Sequence, residues 1–77
     1  MKAIIHVSLK KAILDPQGKA IASALKTMGF DEVEDARQGK VIEIMLNGKG
    51  DEARLRDMCD RLLANPVIED YKIELVA

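Results

Sequence analysis

Aromatic residues are nearly absent from this chain of 77 residues, which contains one phenylalanine, one tyrosine and no tryptophan. Proteins that bind single-stranded nucleic acid stack bases on aromatic side chains, and this sequence offers little surface of that kind. The hydrophobic residues, 48% of the chain, are mostly aliphatic and suit a core of strands and helices. The composition therefore disfavours nucleic-acid recognition by base stacking.

An excess of charge of one sign is also missing. The chain has 12 basic and 13 acidic residues, a net charge of −1, and the two signs alternate along the sequence. A general nucleic-acid binder needs clustered positive charge to displace counterions from phosphates. This distribution therefore argues against nucleic acid as a partner.

Cysteine and long apolar runs are scarce as well. The single Cys59 excludes an intrachain disulfide and fits a reducing compartment. No segment approaches the ~20 consecutive apolar residues of a membrane span, and residues 1–6 do not resemble a signal peptide. We expect a cytoplasmic protein without a membrane anchor.

Residues 1–77 should form a single domain, and so short a chain gains stability from a partner.

The first half of the chain predicts a strand and a helix. Apolar and polar residues alternate from Ala3 to Lys10, which is typical of a strand. Asp15 and Pro16 indicate a helix start, because aspartate caps free amides and proline fits the first helical position. Gly29 should end this helix, since it adopts positive φ without steric cost. The apolar face of the helix comprises Ala20, Ile21, Ala24, Leu25 and Met28.

The second half predicts two central strands, a helix and a last strand. A second strand is expected from Phe30 to Arg37, a tight turn at Gln38-Gly39, and a third strand from Val41 to Leu46. Asp51 should cap a second helix that ends before Pro66. A last strand follows, with Tyr71, Ile73 and Leu75 on one face. The buried stripe of the second helix is expected to comprise Leu55, Met58, Cys59, Leu62 and Leu63.

The element order β-α-β-β-α-β predicts an α+β fold. Its compact form is a ferredoxin-like sandwich, with a four-stranded antiparallel sheet and both helices on one face. The other face of the sheet is left open and carries apolar residues among charged ones. We predict that this open face is an oligomer interface. Its apolar members are Ile4, Val41, Met45 and Val76.

No catalytic, cofactor or metal site is predicted. His6 is the only histidine, and Cys59 lies on an apolar stripe where a thiol behaves as a small hydrophobe. The glycines at residues 48 and 50 lack the spacing of a phosphate-binding loop, and Asp51 and Glu52 follow them. The chain alone is therefore not expected to be an enzyme.

Two short segments call for another explanation. Gly18 lies in the first turn of a helix, where it costs up to ~1 kcal/mol relative to alanine. It marks either the close approach of a backbone or partner, or a mildly suboptimal helix. Arg37 and Lys40 flank the predicted turn, either as contacts to a partner or as solubilising charges. The sequence alone does not decide between these alternatives for Gly18, Arg37 and Lys40.

The stretches Leu14-Asp15-Pro16-Gln17-Gly18-Lys19-Ala20 and Val33-Glu34-Asp35-Ala36-Arg37-Gln38-Gly39-Lys40, with Glu43, resemble the PurS family. Members are small subunits of phosphoribosylformylglycinamidine (FGAM) synthase, and the resemblance covers essentially the whole chain. It implies a noncatalytic subunit, acting as a homodimer or dimer of dimers. Such a dimer would bridge the ATP-dependent synthetase and the glutaminase and help ammonia pass between them. The implied partner-binding residues are Asp15, Pro16, Gln17, Gly18, Arg37, Gly39 and Lys40.

Two other classes of function compete with this one. A free-standing regulatory dimer that binds a small ligand is expected to carry a glycine-rich loop after the first strand, and residues 10–15 contain no glycine. An RNA-binding sheet requires exposed aromatic residues on its central strands, which are absent here. The family resemblance therefore favours the FGAM synthase subunit.

Overall fold

The computed structural model describes residues 1–77 and contains three strands and two helices. Strand β1 spans Lys2–Leu9, helix α1 spans Pro16–Thr27 and strand β2 spans Gly39–Met45. Helix α2 spans Glu52–Met58 and continues into a π-helical turn at Cys59–Leu63, which is followed by strand β3 at Glu69–Val76. Neither helix combines the length and apolar character needed to cross a membrane.

The sheet is antiparallel, with β1 in the centre between β2 and β3. Its register places Ile5 opposite both Ile42 and Ile73. The inward side chains of β1 are almost fully buried and form one core cluster with Leu55 and Cys59 of the second helical segment. The predicted α+β class and three of the four predicted strands are therefore confirmed.

The prediction of a second strand from Phe30 to Arg37 is wrong for the single chain, whose sheet has three strands. Both edges of β1 are occupied, by β2 and β3, so this segment has no place beside the central strand. Instead, residues 30–38 run back along α1. Lys19 lies 3.4 Å from Asp35, and the Gln38 N–H reaches Asp15 beside the start of the helix.

Helix α1 and this returning segment form an arm, residues 16–38, that projects from the sheet. The chain measures 48 × 27 × 14 Å and has a radius of gyration of 15.7 Å. A compact domain of this length is expected to have a radius of gyration of about 12 Å. Within one chain only α2 covers the sheet, so the prediction of both helices on one sheet face is not met.

A π-helical turn alters the predicted stripe of the second helix. The Ala64 N–H donates to the Cys59 carbonyl, five residues earlier, at 2.9 Å. A π-helical turn holds more residues than an α-helical turn, so the side chains after Cys59 point in other directions than they would in an α-helix. Leu62 is consequently 83% exposed rather than buried, whereas Cys59 stays in the core.

Candidate functional site

The motif that begins α1 is held at the base of the arm by the side chain of Asp15. Its carboxylate accepts the Gly18 N–H at 2.9 Å and the Gln38 N–H at 2.7 Å. Asp15 is only 4% exposed. The hydrogen bond from Gln38, followed by that from Gly18, holds the pKa of this carboxyl below its usual value. One side chain therefore caps the helix and also ties it to the start of β2.

Gly18 is explained by the close approach of backbone within the chain. A Cβ atom at this position would collide with the carbonyl oxygen of Ala36 and lie 2.9 Å from the Asp15 carboxylate. Only glycine lets the helix pack this closely against the returning segment. The glycine thus offsets its low helix propensity by permitting a backbone contact.

Arg37 links the returning segment to the end of β1. Its guanidinium donates to the carbonyls of Lys10 at 2.8 Å and Leu9 at 3.3 Å. These contacts provide hydrogen-bond donors for two backbone carbonyls at the point where the chain leaves β1. We call the contacts among Asp15, Gly18, Ala36, Arg37 and Gln38, together with the two carbonyls, the elbow.

The other predicted partner-binding residues surround the elbow with exposed groups. Pro16 and Gln17 lie in the first turn of α1, and Lys40 follows Gly39 at the start of β2. Gly39 lies opposite Ser8, and a Cβ there would come within 2.6 Å of the Val7 carbonyl oxygen. The structure therefore brings all seven predicted residues to one end of the sheet.

Two open polar hollows border the elbow. The first, of about 260 Å³, lies beside Gln17, Gln38, Lys40 and Glu69. The second, of about 350 Å³, is lined by residues that include Lys11, Lys19, Asp35 and Arg37. The N–H of Ala36, and then the side chain of Lys19, lower the pKa of Asp35. This charged, hydrogen-bonding surface suits contact with another polar surface.

The four residues predicted at an oligomer interface share the open face of the sheet. Ile4 lies at its centre between Glu43 and Glu74, and Val41 lies beside His6. Val41 is 60% exposed and Met45 is 73% exposed. An ion pair at 3.0 Å between Lys2 and Glu43, and a contact of 3.4 Å between His6 Nε2 and a carboxylate oxygen of Glu74, cross the same face. The face therefore combines apolar groups with paired charges.

Sequence reasoning missed a second uncovered apolar surface, on the arm. The helix face that was predicted to pack on the sheet is bare: Ile21 is 40% exposed and Met28 is 70% exposed. Phe30, just beyond the helix, is 45% exposed. The periodicity of α1 identified this face correctly, but it carries no information about which chain covers it.

Sequence reasoning also missed Ala36 and Gln38, which act in the elbow through their backbone. No side-chain signal marks such a role.

Comparison with known proteins gives consistent matches over nearly the whole chain. The family model described as PurS, phosphoribosylformylglycinamidine (FGAM) synthase, matches residues 2–77. A phosphoribosylformylglycinamidine synthase subunit PurS of Bacillus subtilis is 46% identical over 77 residues, covering 96% of this chain and 90% of the relative. The corresponding subunit of Methanocaldococcus jannaschii is 40% identical, covering 96% and 93%.

Solved structures agree with these relatives. A crystal structure of Bacillus subtilis PurS matches with a TM-score of 0.90 and 42% identity, covering 99% of this chain and 98% of that one. A chain in the PurLQS structure of Thermotoga maritima matches with a TM-score of 0.84 and 28% identity, covering 97% and 95%. The open arm is therefore part of a backbone shape found in experimental structures.

Proposed function

The chain belongs to the PurS family of FGAM synthase subunits, and we propose that it serves there as a dimeric, noncatalytic bridge between the synthetase and glutaminase subunits. The complex is a ligase of purine biosynthesis. In the proposed division of labour, the glutaminase releases ammonia and the synthetase consumes it with ATP. This chain holds the two active subunits in a fixed relative position, so that ammonia passes between them without escaping.

The observation that carries this proposal is the amount of surface that the single chain leaves uncovered. It exposes 5771 Å², whereas a compact protein of 8.5 kDa is expected to expose about 4,700 Å². The excess, roughly 1,100 Å², exceeds the share that each partner buries in a standard protein–protein interface, roughly 800 Å². The surplus surface is that of an assembly component.

A second copy of the chain is the occupant that fits the bare surface of the arm. The inward side chains of β2, among them Ile42 and Ile44, are only half-buried, and the outer edge of β2 has no strand partner. The arm offers what is missing, namely an apolar helix face and a segment, residues 33–38, that belongs to no helix, sheet or turn. Reciprocal exchange of arms would satisfy both surfaces with two-fold symmetry.

Such an exchange accounts for the difference between the predicted and observed folds. The partner's arm would supply a fourth strand beside β2 and a second helix on the same sheet face. Each half of the dimer would then be a complete ferredoxin-like sandwich, built from two chains. The open face, with Val41 and Met45 exposed, remains available for a dimer of dimers or for another subunit.

The predicted partner-binding residues divide between an internal and an external role in this proposal. Asp15, Gly18 and Arg37 are occupied inside the chain. The exposed side chains of Pro16, Gln17 and Lys40 surround them and form the candidate contact with a synthetase or glutaminase subunit.

Reconstitution of the complex tests the bridging role. The synthetase and glutaminase are assayed with and without this chain, using either glutamine or ammonium chloride as the nitrogen source. We expect the chain to raise the glutamine-dependent rate strongly and the ammonia-dependent rate much less, because free ammonia needs no bridge. Equal glutamine-dependent rates with and without the chain would disprove the proposal.

A further inference from the structure

We infer that the elbow sets the direction of the arm, and that Asp15 is the positioning residue that keeps the arm extended for exchange with a second copy. This inference rests on the dimer proposed above. It concerns how one chain avoids the closed arrangement, in which its arm would lie on its own sheet. The contacts at the base of the arm provide the argument.

The closed arrangement is a strong competitor on general grounds. An arm that folds back on its own sheet makes the same kind of contacts as an exchanged arm. Its effective concentration is in the millimolar range, because the connections are short. Exchange at micromolar protein concentration therefore requires that something oppose closure, and hinge geometry is the usual determinant of domain swapping.

The elbow restrains both connections between the arm and the sheet. The first connection, residues 10–15, is held where Arg37 donates to the carbonyls of Leu9 and Lys10. The second, at Gln38, is held because its N–H donates to Asp15 at 2.7 Å. Asp15 belongs to the first connection, so its carboxylate joins the two hinges directly.

Swinging the arm back would separate these groups. The Gln38 N–H would leave the Asp15 carboxylate, which is only 4% exposed and would lose a hydrogen-bond donor in a poorly hydrated place. Unsatisfied groups of this kind are costly, and more so when one partner is charged. Gly18 keeps the arm itself rigid, because its contact with Ala36 leaves no space for the helix to shift against the returning segment.

Helix capping and arm positioning are separable by substitution. Serine caps helices about as well as aspartate, but its single hydroxyl oxygen cannot hold both the Gly18 and the Gln38 N–H groups. Asp15→Ser therefore retains the cap and removes the link between the hinges. Asp51→Ser is the matched control, because Asp51 caps α2 through the Ala53 N–H at 3.0 Å and holds no second segment.

Distances between spin labels report the direction of the arm. Labels are attached at Lys26→Cys, in the last turn of α1, and at Arg54→Cys on α2, both exposed positions. Cys59 is fully buried and stays unlabelled. Dilution with unlabelled protein restricts the measured distances to those within one chain. Sedimentation of the same samples without labels gives the dimer dissociation constant.

We expect Asp15→Ser to broaden the distance distribution toward shorter values and to weaken dimerisation about tenfold or more. Asp51→Ser should leave both readouts as in the wild type. Should Asp15→Ser fail to fold, Asp15→Asn decides, because it keeps the size of the side chain and one acceptor oxygen. Equal distance distributions for the wild type and the decisive Asp15 variant would overturn the inference. A monomeric wild type with a single arm distance would refute the dimer but not the positioning role.

Discussion

At the scale of single residues, Asp15 shows how one carboxylate can organise two parts of a small chain. It accepts hydrogen bonds from residues three and 23 positions later in the sequence. Both donors are backbone N–H groups, so the link does not depend on the identity of the partner side chain at residue 38. Substitutions of Asp15, and of Arg37 and Lys40, test the roles of these single residues.

The stability of the protein should depend on pH through Asp15. Because the folded pKa is lowered, the ionised carboxylate stabilises the fold above its unfolded value of 3.8, and this contribution is lost as the pH falls through the folded value. The wild type should therefore be more stable than Asp15→Asn by a constant amount above about pH 5, and this difference should shrink below pH 3.8.

Urea unfolding at a fixed protein concentration measures this difference. Asp35 also has a lowered pKa, so both proteins are compared in an Asp35→Asn background as the control. A difference that stayed constant down to about pH 2 would contradict the assignment to Asp15.

Arg37 and Lys40 should respond differently to alanine substitution. Arg37→Ala removes two donors to backbone carbonyls and should lower stability by about 1 kcal/mol. Lys40→Ala removes an exposed cation and should change stability little. It should nevertheless weaken assembly with the partner subunits and reduce the salt dependence of that assembly. Thermal melts and binding at two ionic strengths distinguish the variants; identical behaviour of the two would contradict the division of roles.

At the scale of secondary structure, α1 is the element whose surroundings are least complete. The capping residue, the proline and the small residues of this helix need no contact outside the chain. Its apolar face, in contrast, is not covered. Helices of this length are stabilised mainly by tertiary packing of an apolar face. The helix therefore depends on a contact that a single chain does not supply.

A charge on the bare face of α1 should weaken the dimer. Met28→Lys places an ammonium where we expect apolar groups of the second copy, so dimerisation should weaken by about tenfold or more. Ser23→Lys introduces the same charge on the opposite side of the helix and serves as the control. Sedimentation at several protein concentrations gives both dissociation constants. Equal constants for the two variants would exclude this face from the interface.

At the scale of the whole molecule, the chain is extended and presents two kinds of surface. The arm and the outer edge of β2 are uncovered in the single chain, and in our proposal a second copy covers them. The open face of the sheet carries apolar groups beside the Lys2–Glu43 ion pair and the His6–Glu74 contact. A bridging subunit needs both kinds, one to build a rigid dimer and another to meet different proteins.

The open face is tested by charge at two neighbouring positions of β2. Met45→Lys should weaken association at this face, because it buries a charge where an apolar group packs. Glu43→Lys also adds positive charge to the face, but it replaces a side chain that is already solvated and charged. Light scattering of the isolated chain and binding to the synthetase measure both effects. If Glu43→Lys weakened association as much as Met45→Lys, apolar packing at this face would be the wrong explanation.

Much of the local structure follows from the sequence. The alternation in β1, the cap and proline of α1, the glycine at residue 29 and the family motifs are all local patterns, and they predicted the class and most elements. The strand predicted from Phe30 to Arg37 does not form within the chain, because contacts of this segment with α1 and Asp15, which its apolar pattern does not reveal, hold it beside the helix.

The direction of the arm was decided only in the tertiary structure. Periodicity shows that α1 has an apolar face, but the same pattern serves an intrachain and an interchain contact equally well. The elbow depends on backbone N–H and carbonyl groups, which every residue except proline carries, so no side-chain pattern reveals it. Sequence alone thus determined which residues are apolar, capping or small, and the three-dimensional arrangement decided which of them the chain covers itself and which it leaves exposed.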